Sequence, residues 1–433
     1  MEKLKTRRVK ALLCILLLVF FLSGVALCWH FYDNNVDRSG WENRDGTYYY
    51  RDFHSDRVTG WQDIDGKRYY FGEDKTMQTG WQTIDGLRYC FHPQGGFMLT
   101  GWQNINEDLR YFHPNGVLAA GWTDLPEGRY YMDAEGRLTT GWMTLDGRTY
   151  HFTEEGLMET GPKTIDGKSY YFLEDGPLFV GLVELDDGTH YFTQDGTMAT
   201  GWQTIDDRRY YFDQNGIMAT GWLTLGEYSY YLQEDGSAAT GPLVIDGRQH
   251  YFTPKGIHVI LVNADNPIPD YWNPEILTLE GWTRVAEIAY EPMQRMVADC
   301  LAAGHKYVFN SAYRSHRSQI AIVEQRTREY MRQGMDQETA LAKTLETAAY
   351  PGTSEHEMGL AADITGEDAK IWLGEHCWEY GFILRYPPEK QHITGIINEP
   401  WHFRYVGTAV SLDMKDSGLC LEEYLGAPPV GSK

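Results

Sequence analysis

The chain reads as a multidomain protein: an N-terminal transmembrane helix, a β-solenoid of hairpin repeats about 20 residues long, and a C-terminal α+β domain. Three observations predict this. A basic flank precedes a long apolar run at the N-terminus. A Gly-Trp pair then recurs in phase through the middle of the chain. After about residue 258 that phase ends, and helical periodicity alternates with short apolar strands.

The N-terminal element comes first. Lys3, Lys5, Arg7, Arg8 and Lys10 precede an almost purely apolar stretch from Ala11 to Trp29. A spanning helix needs ~20 such residues, whereas a signal-peptide core has ~7–15. The basic flank stays inside. An uncleaved anchor over residues 1–30 is the expectation, with cleavage near Ala26 as the alternative. Val25-Ala26-Leu27-Cys28 is a poor lipoprotein site, because Leu27 is large. Either way, everything after about residue 30 is expected outside the membrane.

The repeats occupy residues 40–257. Gly-Trp stands at Trp41, Trp61, Trp81, Trp102, Trp122, Trp142, Trp202 and Trp222, and Pro162, Leu182 and Pro242 take its place at the other three positions. The spacing is 20 residues with a single step of 21. Each unit predicts a short strand, an Asp-Gly turn such as Asp65-Gly66, an aromatic strand such as Tyr210-Tyr211-Phe212, and a closing turn. One such hairpin cannot bury its own aromatics, but a stack of them can. The full chain has 433 residues, 30 Tyr, 14 Trp and 45 Gly, a composition that suits many short strands and turns. A formal net charge of -23 argues against nucleic acid as a partner.

This stretch resembles the cell-wall-binding repeats, which include choline-binding repeats and their glucan- and toxin-type relatives. The resemblance implies that grooves between repeats hold wall ligands on the eight tryptophans named above. Choline-binding copies usually carry a Trp before the Tyr pair; here that place holds Arg68, Arg88, Ser169 or Arg209. A quaternary ammonium needs a cage of aromatic faces. A wall polysaccharide therefore fits these copies better than choline-bearing teichoic acid, which stays as the alternative. Gluing repeat to repeat is the plainer role for any one of these rings. The consecutive units from Gly161 to Thr200, which lack the Trp, are expected to lack a working groove.

The C-terminal domain covers 258–433. Met293, Met296, Val297, Cys300 and Leu301 share a helical face that stops at Gly304. Tyr307-Val308-Phe309 predicts a buried strand, and 316–348 a polar helical stretch. Strands are expected at Leu360–Ile364, Phe382–Leu384 and His402–Val406, with a helix near 367–380. The cysteines Cys300, Cys377 and Cys420 read as free buried thiols rather than a disulfide, and the absence of any C-x-x-C argues against a Cys-type zinc site.

Chemistry concentrates in four segments: Tyr313-Arg314-Ser315, Ser354-Glu355-His356 running to Asp363, Gly381 to Pro387, and Glu399-Pro400-Trp401-His402. Two imidazoles and a carboxylate suit zinc with one position left for water. A lone histidine is more often structural, which is how His305, His316, His376 and His392 are read. The joint pattern Ser-x-His-x-x-Gly-x-Ala-x-Asp with Glu-x-x-His resembles the VanY-type D-alanyl-D-alanine carboxypeptidases, relatives of the VanX-type dipeptidases and the bacterial L,D-carboxypeptidases. The resemblance runs from about Leu261 to Leu425.

That resemblance implies Zn²⁺ on His356, Asp363 and His402, with Glu399 as general base. It implies Arg314 at the developing oxyanion or the substrate end, and Ser354, Gln319 and Arg385 as substrate-binding candidates. Trp401 and Tyr386 are candidates for the pocket lining or the core. The partners would be peptidoglycan stem peptides, the wall polymer, and the membrane through the N-terminal helix. The rivals are L,D-cleavage, an endopeptidase, and an adhesin with a vestigial peptidase domain.

Overall fold

The computed structural model describes residues 40–432. The anchor expected at 1–30 lies outside them. No helix among the described residues is long and apolar enough to cross a membrane. Contacts divide the chain into two compact units, one running to Gly181 with Phe192–Thr197, the other made of Leu182–Tyr191 and Met198 onward.

In the first unit each repeat is a two-stranded antiparallel hairpin of five-residue strands, such as Gly60–Ile64 with Lys67–Phe71. Asp65 and Gly66 sit at φ 52° and 75°, the doubly left-handed turn that the Asp-Gly pairs predict. The last strand residue points inward: Phe71, Phe91, Phe112 and Phe172 are all 0 % exposed. Each Trp joins neighbouring hairpins. Trp61 lies 5.1 Å from Tyr70 of its own hairpin and 4.9 Å from Tyr89 of the next. Backbone bonds reinforce the stack, as from Met98 N to Arg68 O at 2.7 Å. Gly116, at φ 82°, lets Met98 insert: a Cβ there would lie 2.1 Å from the Met98 sulfur.

The second unit carries the last Trp hairpins and the α+β domain. A mixed apolar cluster joins them: Tyr230, Leu232, Ile257 and Val259 pack with Val410, Met414, Leu421 and Leu425. Tyr405 OH donates to Glu227, and Ala409 N–H donates to the Tyr228 hydroxyl. The centre of the domain is a four-stranded sheet in the order Val308–Ser311, Ala361–Thr365, His402–Tyr405, Phe382–Leu384. Its neighbouring strands all pair antiparallel. Ala362, Ile364, Phe403 and Tyr405 face a core shared with Met293, Met296 and Cys300 of the helix Glu287–Ala302.

Three expectations need correction. Leu301 is 51 % exposed, because the buried face of that helix turns away from it after Cys300. Val308 lies on the edge strand and is 59 % exposed, so that strand is only half buried. The polar stretch 316–348 is two helices, His316–Arg332 and Gln337–Leu345. Gly334 at φ 97° ends the first, and the Asp336 side chain caps the second by accepting from Thr339 N. Cys300, Cys377 and Cys420 are buried free thiols, as expected, and Cys90 is another.

Phe112→Ala removes a fully buried ring from the inner column and is expected to cost about 3–5 kcal/mol. Thermal unfolding should show a lowered transition; an unchanged melt would contradict the role of the column in stability.

Candidate metal centre

The sheet positions the site. Asp363 and His402 are direct cross-strand partners. Residues two apart share a face, so Asp363 projects away from the core that Ala362 and Ile364 enter. His402 likewise opposes Phe403. Its Nδ1 lies 3.2 Å from Asp363 Oδ1. His356 arrives on the turn before the Ala361–Thr365 strand. Its Nδ1–H donates to Ala312 O at 2.9 Å, which leaves Nε2 facing Asp363 Oδ2 at 3.3 Å. That tautomer follows from the carbonyl partner. Gly359, at φ 72°, makes the turn: a Cβ would sit 2.8 Å from Ala286 N, which donates to Gly359 O.

One ligand atom each from His356, Asp363 and His402 lies within 4.8 Å of the others, and all three side chains are buried. Asp363 Oδ1 is buried without a hydrogen bond, and so is His402 Nε2. The 3.2 Å approach of Asp363 Oδ1 to His402 Nδ1 is therefore electrostatic, not an aligned hydrogen bond. A buried carboxylate oxygen beside two imidazoles fits a divalent cation.

Charge agrees with this. Burial opposes ionisation of Asp363, yet the two histidines hold its carboxyl well below the ordinary range. His402 is pulled the other way: burial disfavours its charged form, but Asp363, Glu355 and Glu399 together raise it well above the usual value. Three carboxylates around one imidazole favour positive charge, whether a proton or a metal ion supplies it. Burial lowers His356, which keeps it neutral and able to ligate.

Around this centre lies a cavity of about 230 Å³, lined in part by Arg314, Ser354, Tyr386, Glu399 and Trp401. Glu399 Oε2 is 3.5 Å from His402 Nδ1. Arg314 Nη2 donates to Asp363 Oδ2 at 3.1 Å, and its Nε donates to Ser311 Oγ. The Tyr386 ring centroid is 4.9 Å from that of His402.

Two expected substrate contacts are not at the cavity. Gln319 is 0 % exposed; its Oε1 accepts from Arg314 Nη1 and its Nε2 donates to Ala349 O. It orients Arg314 from behind. Arg385 is also 0 % exposed. Its Nε donates to Glu355 at 2.8 Å, and its two terminal nitrogens donate to both Glu422 oxygens. Three of the five N–H donors of the guanidinium go to these two carboxylates, and the side chain is buried away from the cavity, which fits a structural role rather than a substrate contact.

Sequence reasoning missed Glu355. Its Oε2 lies 3.4 Å from His402 Nε2 without hydrogen-bond alignment, and Arg404 reaches its other oxygen at 3.2 Å. Its place beside His356 was the only available signal.

Residues 283–408 match the family model described as VanY, D-alanyl-D-alanine carboxypeptidase. The chain is 41 % identical over 175 residues to a D-alanyl-D-alanine carboxypeptidase of Enterococcus faecalis, covering 39 % of this chain and 65 % of that relative's length. It is 32 % identical over 198 residues to the Bacillus subtilis protein YodJ, covering 41 % of this chain and 70 % of YodJ. The chain belongs to the VanY family. A solved structure of VanYB in complex with D-alanine-D-alanine is 38 % identical, covers 39 % of this chain and 96 % of its own, and superposes with a TM-score of 0.38. Upstream of the VanY region, 58–100, 199–227 and 219–256 match a choline-binding repeat, and 163–178 a cell wall binding repeat.

Arg385→Met leaves the Glu422 carboxylate buried without its cation and Glu355 with Arg404 alone. A loss of about 3–5 kcal/mol is expected. Denaturant melts check this; full stability in the variant would show that the pair is not what holds this part of the VanY domain.

Proposed function

We propose that the chain is an exported, wall-held zinc carboxypeptidase that releases the terminal D-alanine of peptidoglycan stem peptides. The observation that carries this reading is the convergence of His356, Asp363 and His402 beside Glu399 and Arg314 in one cavity. Identity to the Enterococcus faecalis carboxypeptidase supports the substrate class. The repeats support attachment to wall polysaccharide or choline-bearing polymer. The basic flank and apolar run at 1–30 support retention at the outer face of the membrane.

His356 Nε2, Asp363 Oδ1 and His402 Nδ1 would hold the ion. Zinc, when bound, supplies Lewis acidity and can lower the pKa of water to ≈ 7. Glu399 is the carboxylate left over from the ligand set. It takes the proton of the attacking water and returns it to the leaving amine nitrogen. Arg314, held by Ser311, Gln319 and Asp363, presents its guanidinium to negative charge developing on the scissile carbonyl oxygen. Ser354 hydrogen-bonds the terminal residue. Glu355 acts on the site as a positioning residue through His402.

Glu399→Gln should keep its zinc and lose ~10²–10⁴ in turnover. The full chain incubated with defined penta- and tetrapeptide stems, with and without chelator, reads this by mass spectrometry. Alanine release from the pentapeptide that survives the substitution would remove Glu399 as the base. Release from the tetrapeptide alone would make the enzyme an L,D-carboxypeptidase.

Glu355→Gln is expected to weaken zinc by about 10–100-fold in a competition titration against a chromogenic chelator. Unchanged affinity would reduce Glu355 to a partner of the buried arginines.

A further inference from the structure

The tryptophans of the hairpins fall into two classes. In each hairpin the Trp, the residue two further on, and their two cross-strand partners stand on one side of the ladder, as do Trp61, Asp63, Arg68 and Tyr70. In four hairpins the residue diagonal to the Trp is an arginine lying over the indole. Arg68 is 4.8 Å from the Trp61 centroid, Arg88 4.8 Å from Trp81, Arg129 4.6 Å from Trp122, and Arg209 4.1 Å from Trp202. These indoles already carry a cation of the chain's own. At Trp41 and Trp102 the diagonal residues are Tyr48 and Leu109, and both indoles are half-buried.

Trp142 and Trp222 differ. Their diagonal residues are Thr149 and Ser229. They are the two exposed indoles of the repeats, at 44 % and 48 %. Beside each, a hydroxyl pair bridges the ladder: Thr144 to Thr149 at 3.4 Å and Thr224 to Ser229 at 3.3 Å. Open indole and hydroxyl pair share one face.

We propose that Trp142 and Trp222 are saccharide subsites and that the arginine-covered tryptophans are structural. The apolar face of a neutral hexopyranose stacks on the indole, and its ring hydroxyls exchange hydrogen bonds with the neighbouring hydroxyl pair. A hydroxyl both donates and accepts, which suits a sugar. A quaternary ammonium cannot use a hydrogen bond. It needs further aromatic faces, and Thr149 and Ser229 stand where another would have to come from. Trp142 meets His151 and Tyr170 edge-on, and Phe172 lies tilted beneath it at 5.8 Å. Trp222 likewise meets Tyr231, His250 and His258 edge-on, with Phe252 tilted at 6.0 Å. This inference rests on the proposed wall attachment and names its residues and ligand class.

The test transplants the cap. Thr149→Arg with Ser229→Arg installs a residue that four sister hairpins already carry in that place, so the fold should tolerate it. The probe is the full chain passed over immobilised wall glycan strands, freed of stem peptides and phosphate polymers. The doubly substituted chain should be retained about tenfold less, as expected when linked sites are lost together, with its melting midpoint unchanged. Arg68→Ser, which uncovers Trp61, should increase retention. If the parent is retained and the capped variant is retained equally, this inference fails and wall attachment stands. Release of the parent by excess choline chloride would overturn the saccharide assignment. A parent retained by no wall preparation would overturn wall attachment itself, and this inference with it.

Discussion

Asp363 faces His402 because two antiparallel strands are held in one register, and the chemistry of the domain depends on that register. A slip of a single residue would send Asp363 toward the core and bring Ala362 or Ile364 to the site. Side-chain packing forbids the slip. Ala362, Ile364, Phe403 and Tyr405 fill the core from the opposite face. Burial of four apolar side chains thus fixes where two polar ones stand, and the His356 turn completes the set from the adjoining loop.

Beneath the site lies a second layer of charge. Arg385 and Arg404 meet Glu355, and Arg385 also grips Glu422. Two cations and two anions balance, so the layer can be buried without net charge. Such groups cost desolvation and return it only when the geometry is good. What the arrangement contributes is position. Glu355 is pinned by two arginines, and the imidazole of His402 is held between Glu355 and Asp363. Arg404 in turn donates to the Ile260 carbonyl, so the segment leaving the last repeat is tied to the same layer.

Much of this was legible in the residues. The Gly-Trp phase marked the hairpins, and the joint motif, through its resemblance to the VanY-type carboxypeptidases, pointed to His356, Asp363 and His402 as the centre. The partners of Arg385 were not legible: they lie 30 and 37 residues away along the chain, and no local pattern pairs a guanidinium with distant carboxylates. The bond from Arg314 to Gln319 was hidden for a different reason: a glutamine five residues beyond an arginine reads equally well as a substrate contact. Periodicity carried the polar stretch 316–348 straight through Gly334, where backbone conformation overrules side-chain pattern. In the repeats, the arginine before the Tyr pair was visible as a departure from the choline-binding pattern. Its position over the indole became visible only once the strands were paired.

The apolar cluster shared by the last hairpins and the segment Val410–Ala427 has a practical corollary. No spacer separates the VanY domain from the final repeats, so dissecting the chain at residue 257 would strip the cover from Val410, Met414, Leu421 and Leu425 together. A VanY fragment prepared that way would carry a raw greasy flank and self-associate. One that begins near Met198 would keep its own lid of hairpins.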